Sequence, residues 1–97
     1  MKAFGYERAG SADVLTSIDT ARPAIGPRDL LVAVKGVSVN PVDVKLRAAA
    51  APEGGARILG FDAAGIVVET GAEVTAFKPG DEVFYAGDVT RPGTNAE

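Results

Sequence analysis

Glycine and proline constrain this chain more than any other feature: 12 Gly and 6 Pro punctuate 97 residues and cut them into short segments. A helix interior tolerates neither residue well, so no long helix fits between the breaks. Short runs rich in Val, Ile, Phe and Tyr lie between them, the pattern of strands bounded by turns. Residues 2–6 read as an opening strand ended by Ala9-Gly10-Ser11, and 15–20 as a second, stopped by Arg22-Pro23 and Gly26-Pro27. The strongest strand signal covers 29–40, where Leu30, Val32 and Val34 share a face and the apolar phase moves to Val37 and Val39 after Gly36. A lone Gly at such a slip is the mark of a β-bulge.

A helix start follows. Asn40 stands at the N-cap, Pro41 at the first helical position and Asp43 at the third, close to the capping-box form. The helix is expected over 42–50, ending near Pro52, with 53–56 a flexible loop. Residues 61–69 read as a strand, apolar enough from Ala63 to Val68 to be buried on both faces. Val74 and Phe77 are the core contacts expected after it. Lys78-Pro79-Gly80-Asp81 fits a type II turn, with Gly where φ must be positive. Residues 82–86 are the last clear strand, and 94–97 look like a strand beginning. The sum, about five or six strands and one short helix, is mainly β and favours a small, partly open barrel.

Composition narrows the chemistry. With 46% hydrophobic and 24% charged residues the chain is globular in type, and no apolar run reaches the ~20 residues of a membrane span. Lys and Arg are scattered singly in a chain of net charge -3, which gives no footprint for nucleic acid. The start, Met1 to Tyr6 followed by Glu7 and Arg8, lacks a signal-peptide core, so the cytoplasm is the expected compartment. There is no Cys, His or Trp. That removes disulfides, thiolate and imidazole nucleophiles or bases, and the usual zinc ligands. No two glycines lie two apart and no Gly precedes a Lys, so neither G-x-G-x-x-G nor a Walker A loop is present. A dinucleotide would have to be gripped mainly elsewhere.

Several segments, in order, resemble the N-terminal GroES-like domain of the medium-chain dehydrogenase/reductase superfamily, in its quinone-oxidoreductase branch. They are Gly26-Pro27-Arg28-Asp29-Leu30-Leu31-Val32, Asn40-Pro41-Val42-Asp43, and Gly60-Phe61-Asp62-Ala63-Ala64-Gly65-Ile66-Val67. Gly71, Val74, Phe77 and Lys78-Pro79-Gly80-Asp81-Glu82-Val83 complete the series. The order and spacing carry the resemblance, since each motif alone is common.

The resemblance implies one incomplete GroES-like domain over 1–97, on the substrate side of an enzyme whose Rossmann domain follows in the same chain or acts in trans. Such an enzyme moves hydride from NADPH to a quinone, enone or other carbonyl. Where zinc-dependent relatives carry Cys before the helix this chain has Asn40, and where they carry Gly-His-Glu it has Gly60-Phe61-Asp62, so no zinc is expected. By the same resemblance Asn40, Pro41 and Val42 face the nicotinamide end of the cofactor. Lys45, where many such reductases have Tyr, is the candidate proton donor or holder of the carbonyl oxygen. Phe61 either fills the volume vacated by a zinc ligand or stacks near the substrate. Asp62 is paired with a cation such as Lys45, and Tyr85 lines the cleft; these three are the expected substrate contacts. A cochaperonin-like module and a stand-alone interaction domain are the competing readings. Oligomeric state is open, because an unfinished strand at Glu97 would leave an edge for another copy to pair with.

Overall fold

The computed structural model describes residues 1–49 and 51–97. Among these, six strands and one helix follow in the order β1 (Lys2–Tyr6), β2 (Thr16–Asp19), β3 (Leu30–Ser38), α1 (Pro41–Ala49), β4 (Arg57–Ile58), β5 (Asp62–Thr70) and β6 (Glu82–Ala86). A single 3-10 turn at Ala12–Val14 precedes β2. The strands form two antiparallel sheets of three, ordered β2-β1-β4 and β3-β5-β6. Residues 95–97 stitch the two together. Phe4 N–H donates to the Asn95 carbonyl at 2.9 Å and Glu97 N–H to the Lys2 carbonyl at 3.1 Å, while Val34 N–H donates to the Glu97 carbonyl at 2.9 Å. The barrel is not closed: a trough of about 1460 Å³ remains between the sheets, lined by residues such as Leu30, Val32, Ile58, Phe77 and Val83 and bordered by Ala96 and Glu97. The expected mainly β, partly open barrel with one short helix is the fold observed.

The expected bulge at Gly36 is present: Val34 pairs with Gly65 and Gly36 with Ala64, leaving Lys35 unmatched. A second irregularity, which periodicity did not signal, leaves Val68 of β5 unmatched between Leu31–Glu69 and Val32–Val67. Both increase local twist and bend the sheet into a barrel wall. β4 was also unanticipated, because two residues are too few to show a period.

Three expectations need correction. β5 is not buried on both faces: Ala63, Gly65 and Val67 are buried, but Ala64 and Val68 are exposed. Only one layer of the described chain lies against this sheet, so its outer face meets solvent. Phe77 is 44% exposed rather than a core contact, because it borders the open trough. Residues 94–97 form no strand, only an isolated bridge between Ala3 and Ala96, although all four of their backbone N–H groups are bonded. The expected last helical residue, Ala50, lies outside the described residues.

The core positions α1. Tyr6, Val14, Leu59 and Phe61 form a buried cluster, and Leu15, Val42 and Leu46 pack against it. The carbonyls at the helix C-terminus lack intrahelical partners. Tyr6 Oη donates to the Leu46 carbonyl at 3.3 Å and Gly10 N–H to the Arg47 carbonyl at 3.1 Å. Arg47 Nε returns a bond to the Gly10 carbonyl at 3.2 Å. α1 is thus fixed along its side and at its end. Among the described residues no helix is long and apolar enough to cross a membrane.

Candidate functional site

Ser38 at the end of β3, Asn40 in the turn into α1 and Asp62 at the start of β5 meet at one end of the second sheet. Sheet register brings two of them together, since Ser38 pairs directly with Asp62. Asn40 Nδ2 donates to Asp62 Oδ2 at 2.8 Å and to Ser38 Oγ at 3.3 Å. Ser38 Oγ donates to the same Asp62 oxygen at 3.0 Å. The Asn40 side chain therefore does not cap α1, contrary to the sequence expectation; a carboxylate across the turn takes its amide.

The cap is made in the opposite direction. Asp43 Oδ2 accepts the Asn40 N–H at 2.8 Å, which is the N3-to-Ncap half of a capping box. Asp43 Oδ1 accepts the Gly60 N–H at 2.8 Å. Asp43 is only 5% exposed, and these two bonds satisfy a carboxylate that would otherwise be costly to bury. Gly60 has φ +95, and a side chain there would meet Thr94 and Asn95, so glycine is required at this joint. The helix start and the strand that carries Asp62 are locked through one buried carboxylate.

A shallow depression of about 550 Å³ runs from Ser38 and Asp62 past Val37, Ala64, Phe84 and Tyr85. Tyr85 is 36% exposed, and its hydroxyl has no hydrogen-bond partner among the described residues. Desolvation raises its phenol above the usual tyrosine value, so it stays a protonated donor throughout the neutral range. The depression therefore offers oxygens from Ser38 and Asp62, with Asn40 bonded beside them, and an O–H from Tyr85 one register position along the neighbouring strand.

The remaining predicted residues are placed as follows. Phe61 is 6% exposed in the Tyr6–Val14–Leu59 cluster, so its ring is committed to the core. Val42 turns toward the same cluster, whereas Pro41 is exposed beside Asn40. Lys45 is exposed on α1 and makes no ion pair among the described residues. The expected Asp62–Lys45 pair is absent; neutral Asn40 and Ser38 satisfy Asp62 instead. Ser38 itself went unpredicted. A serine at a strand end carries no signal of its own, and only the register places it against Asp62.

Residues 26–95 match the family described as the alcohol dehydrogenase GroES-like domain. The chain belongs to that family. This GroES-like domain is 41% identical over 99 residues to a zinc-type alcohol dehydrogenase-like protein of Staphylococcus aureus, covering 99% of the chain and 29% of that protein. Among solved structures, a candidate zinc-dependent alcohol dehydrogenase from Rhizobium etli matches at TM-score 0.94 and 53% identity, over 100% of this chain and 29% of the other. Quinone oxidoreductase from Coxiella burnetii matches at TM-score 0.92 and 32% identity, over 100% and 33%. Escherichia coli quinone oxidoreductase, solved with NADPH, matches at 0.82 and 27%, over 92% and 28%. The chain thus spans less than a third of the relatives it matches first, and those relatives are oxidoreductases by name.

Some of these names carry zinc, and the residues of this domain do not fit it. Zinc takes thiolate, imidazole and carboxylate ligands. This chain has no Cys or His, and no three potential ligands gather among the described residues. At the two positions in question, Asn40 presents an amide nitrogen already donated to Asp62, and Phe61 presents a ring buried in the core.

Proposed function

We propose that this GroES-like domain is the substrate side of a zinc-independent, NADPH-linked oxidoreductase that transfers hydride to a quinone, an enone or another carbonyl. In this reading a Rossmann domain beyond these 97 residues, in the same polypeptide or a partner, holds most of the nucleotide, and the enzyme works in the cytoplasm. The observation that carries it is the Ser38–Asn40–Asp62 network: Asn40, which by the resemblance stands where zinc-dependent relatives carry Cys, has its amide nitrogen committed to Asp62 and Ser38. The NADPH-bound quinone oxidoreductase among the structural neighbours supports the choice of cofactor.

Bound NADPH supplies the hydride. The chain's own residues bind, orient and donate. Asn40 and exposed Pro41 meet the nicotinamide end, and Val42 holds that turn against the core. Tyr85 directs its O–H to the carbonyl oxygen, polarising it as hydride arrives at carbon. Lys45, four residues on from Pro41 and so on the same face of α1, relays the proton that completes the reduction. Of the two roles open to Phe61, this reading takes the space-filling one. Substrate contact falls to Asp62 and Tyr85.

Metal analysis and turnover on the full-length protein test the proposal. NADPH-dependent reduction of a naphthoquinone should proceed in protein that holds only substoichiometric zinc, and 1,10-phenanthroline should leave the rate unchanged. Activity lost to the chelator and restored by zinc would overturn it.

A further inference from the structure

We propose that Ser38 and Asp62 are positioning residues that hold the Asn40 carboxamide with both N–H donors turned inward, so that only its oxygen is offered to a ligand. The inference rests on the reductase reading above for the identity of that ligand, but not for the orientation. A hydrogen count sets the orientation. Ser38 Oγ has one hydrogen, directed to Asp62 Oδ2 at 3.0 Å. Toward Asn40, 3.3 Å away, Ser38 Oγ can then only accept. Asp62 Oδ2, at 2.8 Å from the amide, also accepts. The amide atom facing both must therefore carry hydrogens, and only Nδ2 does. A flipped amide would bring three oxygens together with one hydrogen among them.

Both hydrogens of Nδ2 are thereby engaged, and nothing among the described residues donates to Asn40 Oδ1. That oxygen is not sealed in, since no buried side-chain polar atom of the described residues lacks a partner. An unrestrained asparagine turns its amide to suit either a donor or an acceptor. Held by Ser38 and Asp62, Asn40 is an acceptor only. It suits an N–H or O–H donor: the carboxamide of a nicotinamide ring, or a hydroxyl of a hydroquinone product. It is barred from stabilising negative charge on a carbonyl oxygen, which leaves that task to the Tyr85 hydroxyl in the adjoining groove.

Two measurements test this. In ¹⁵N NMR of the 97-residue chain, the Asn40 side-chain amide protons should exchange about tenfold more slowly than those of an exposed asparagine, and Ser38→Ala should speed them. Exchange at the free-amide rate overturns the proposal. In the full-length protein, affinity is compared within two ligand pairs: NADPH against its 3-acetylpyridine analogue, whose methyl ketone has no N–H, and a naphthohydroquinone against its dimethyl ether. At least one pair should favour the donor by about tenfold, the scale of one net hydrogen bond. Asp62→Ala should collapse that ratio toward unity and Asp62→Asn, which keeps an acceptor, should restore it. The pair that collapses identifies the ligand as cofactor or product. Ratios unmoved by Asp62→Ala overturn the positioning role. A wild-type protein that binds no NADPH at all overturns the reductase reading instead, while the amide exchange still reports on the orientation.

Discussion

The carboxylate of Asp43 lies between two backbone N–H groups, those of Asn40 and Gly60, each at 2.8 Å, and joins the start of α1 to the segment leading into β5. Removing it leaves the buried Gly60 N–H without an acceptor, and an unsatisfied buried donor costs roughly 1–3 kcal/mol. Asp43→Ala is therefore expected to lower stability by about 2–3 kcal/mol, allowing for the lost cap as well. Asp43→Asn keeps one acceptor and should lose less. Urea denaturation checks both, and a loss within error for Asp43→Ala would refute the joint. Half of this was legible in the sequence. Asn-Pro-Val-Asp put Asp43 at the third helical position and so gave its bond to Asn40, but Gly60 is 17 residues away and only the fold brings it near. Asn40 divides in the same way: its place before the helix was readable, whereas the diversion of its amide depends on the Ser38–Asp62 register.

Among the elements, the turn before β6 was the most legible. Pro79 supplies a preset φ, Gly80 adopts φ +97, and Asp81 N–H donates to the Lys78 carbonyl at 3.1 Å. Local chemistry decides such a turn, and local chemistry is what a sequence displays. β5 was misread for the opposite reason: an apolar run does not reveal whether one layer or two will cover it. The turn also carries a pH response. Asp81 is held below the ordinary carboxylate value, first by its side-chain bond with Lys78 Nζ at 2.7 Å and then by the Lys78 N–H at 3.0 Å. A depressed folded value means the unfolded chain binds protons more readily, so the contribution is full above the ordinary carboxylate value of 3.8 and fades as pH falls through the lower folded value. Lys78→Met should weaken the acid dependence of stability in that window and leave the neutral pH dependence alone. Thermal melts from pH 2 to 6 would show it, and parallel acid profiles for the two proteins would rule it out. The pair is exposed, so the effect should also shrink with added salt.

At the scale of the whole molecule, the two sheets are joined largely by four residues that have almost no regular structure of their own. Across 94–97, Thr94 N–H donates to the Gly60 carbonyl and Asn95 N–H to that of Leu59, while Phe4 N–H, Glu97 N–H and Val34 N–H complete bonds to the Asn95, Lys2 and Glu97 carbonyls. The segment therefore closes one seam of the barrel and also backs the loop that sets Gly60 and Asp62. Sequence showed a strand starting there but not its role, because neither edge it fills adjoins it in sequence. Each such bond contributes about 1 kcal/mol net, and a small domain has only ~5–15 kcal/mol in total. Deleting 94–97 should thus remove a large part of the domain's stability and separate the sheets, since few other contacts span that seam. The test is the amide spectrum of the deleted chain. Collapsed dispersion is expected, with the Ser38–Asp62 pairing lost alongside the β1 pairing, because the seam supports both sheets. A spectrum as dispersed as the parent's, with an unchanged melting midpoint, would mean that the β3–β5–β6 sheet holds the candidate site without the seam.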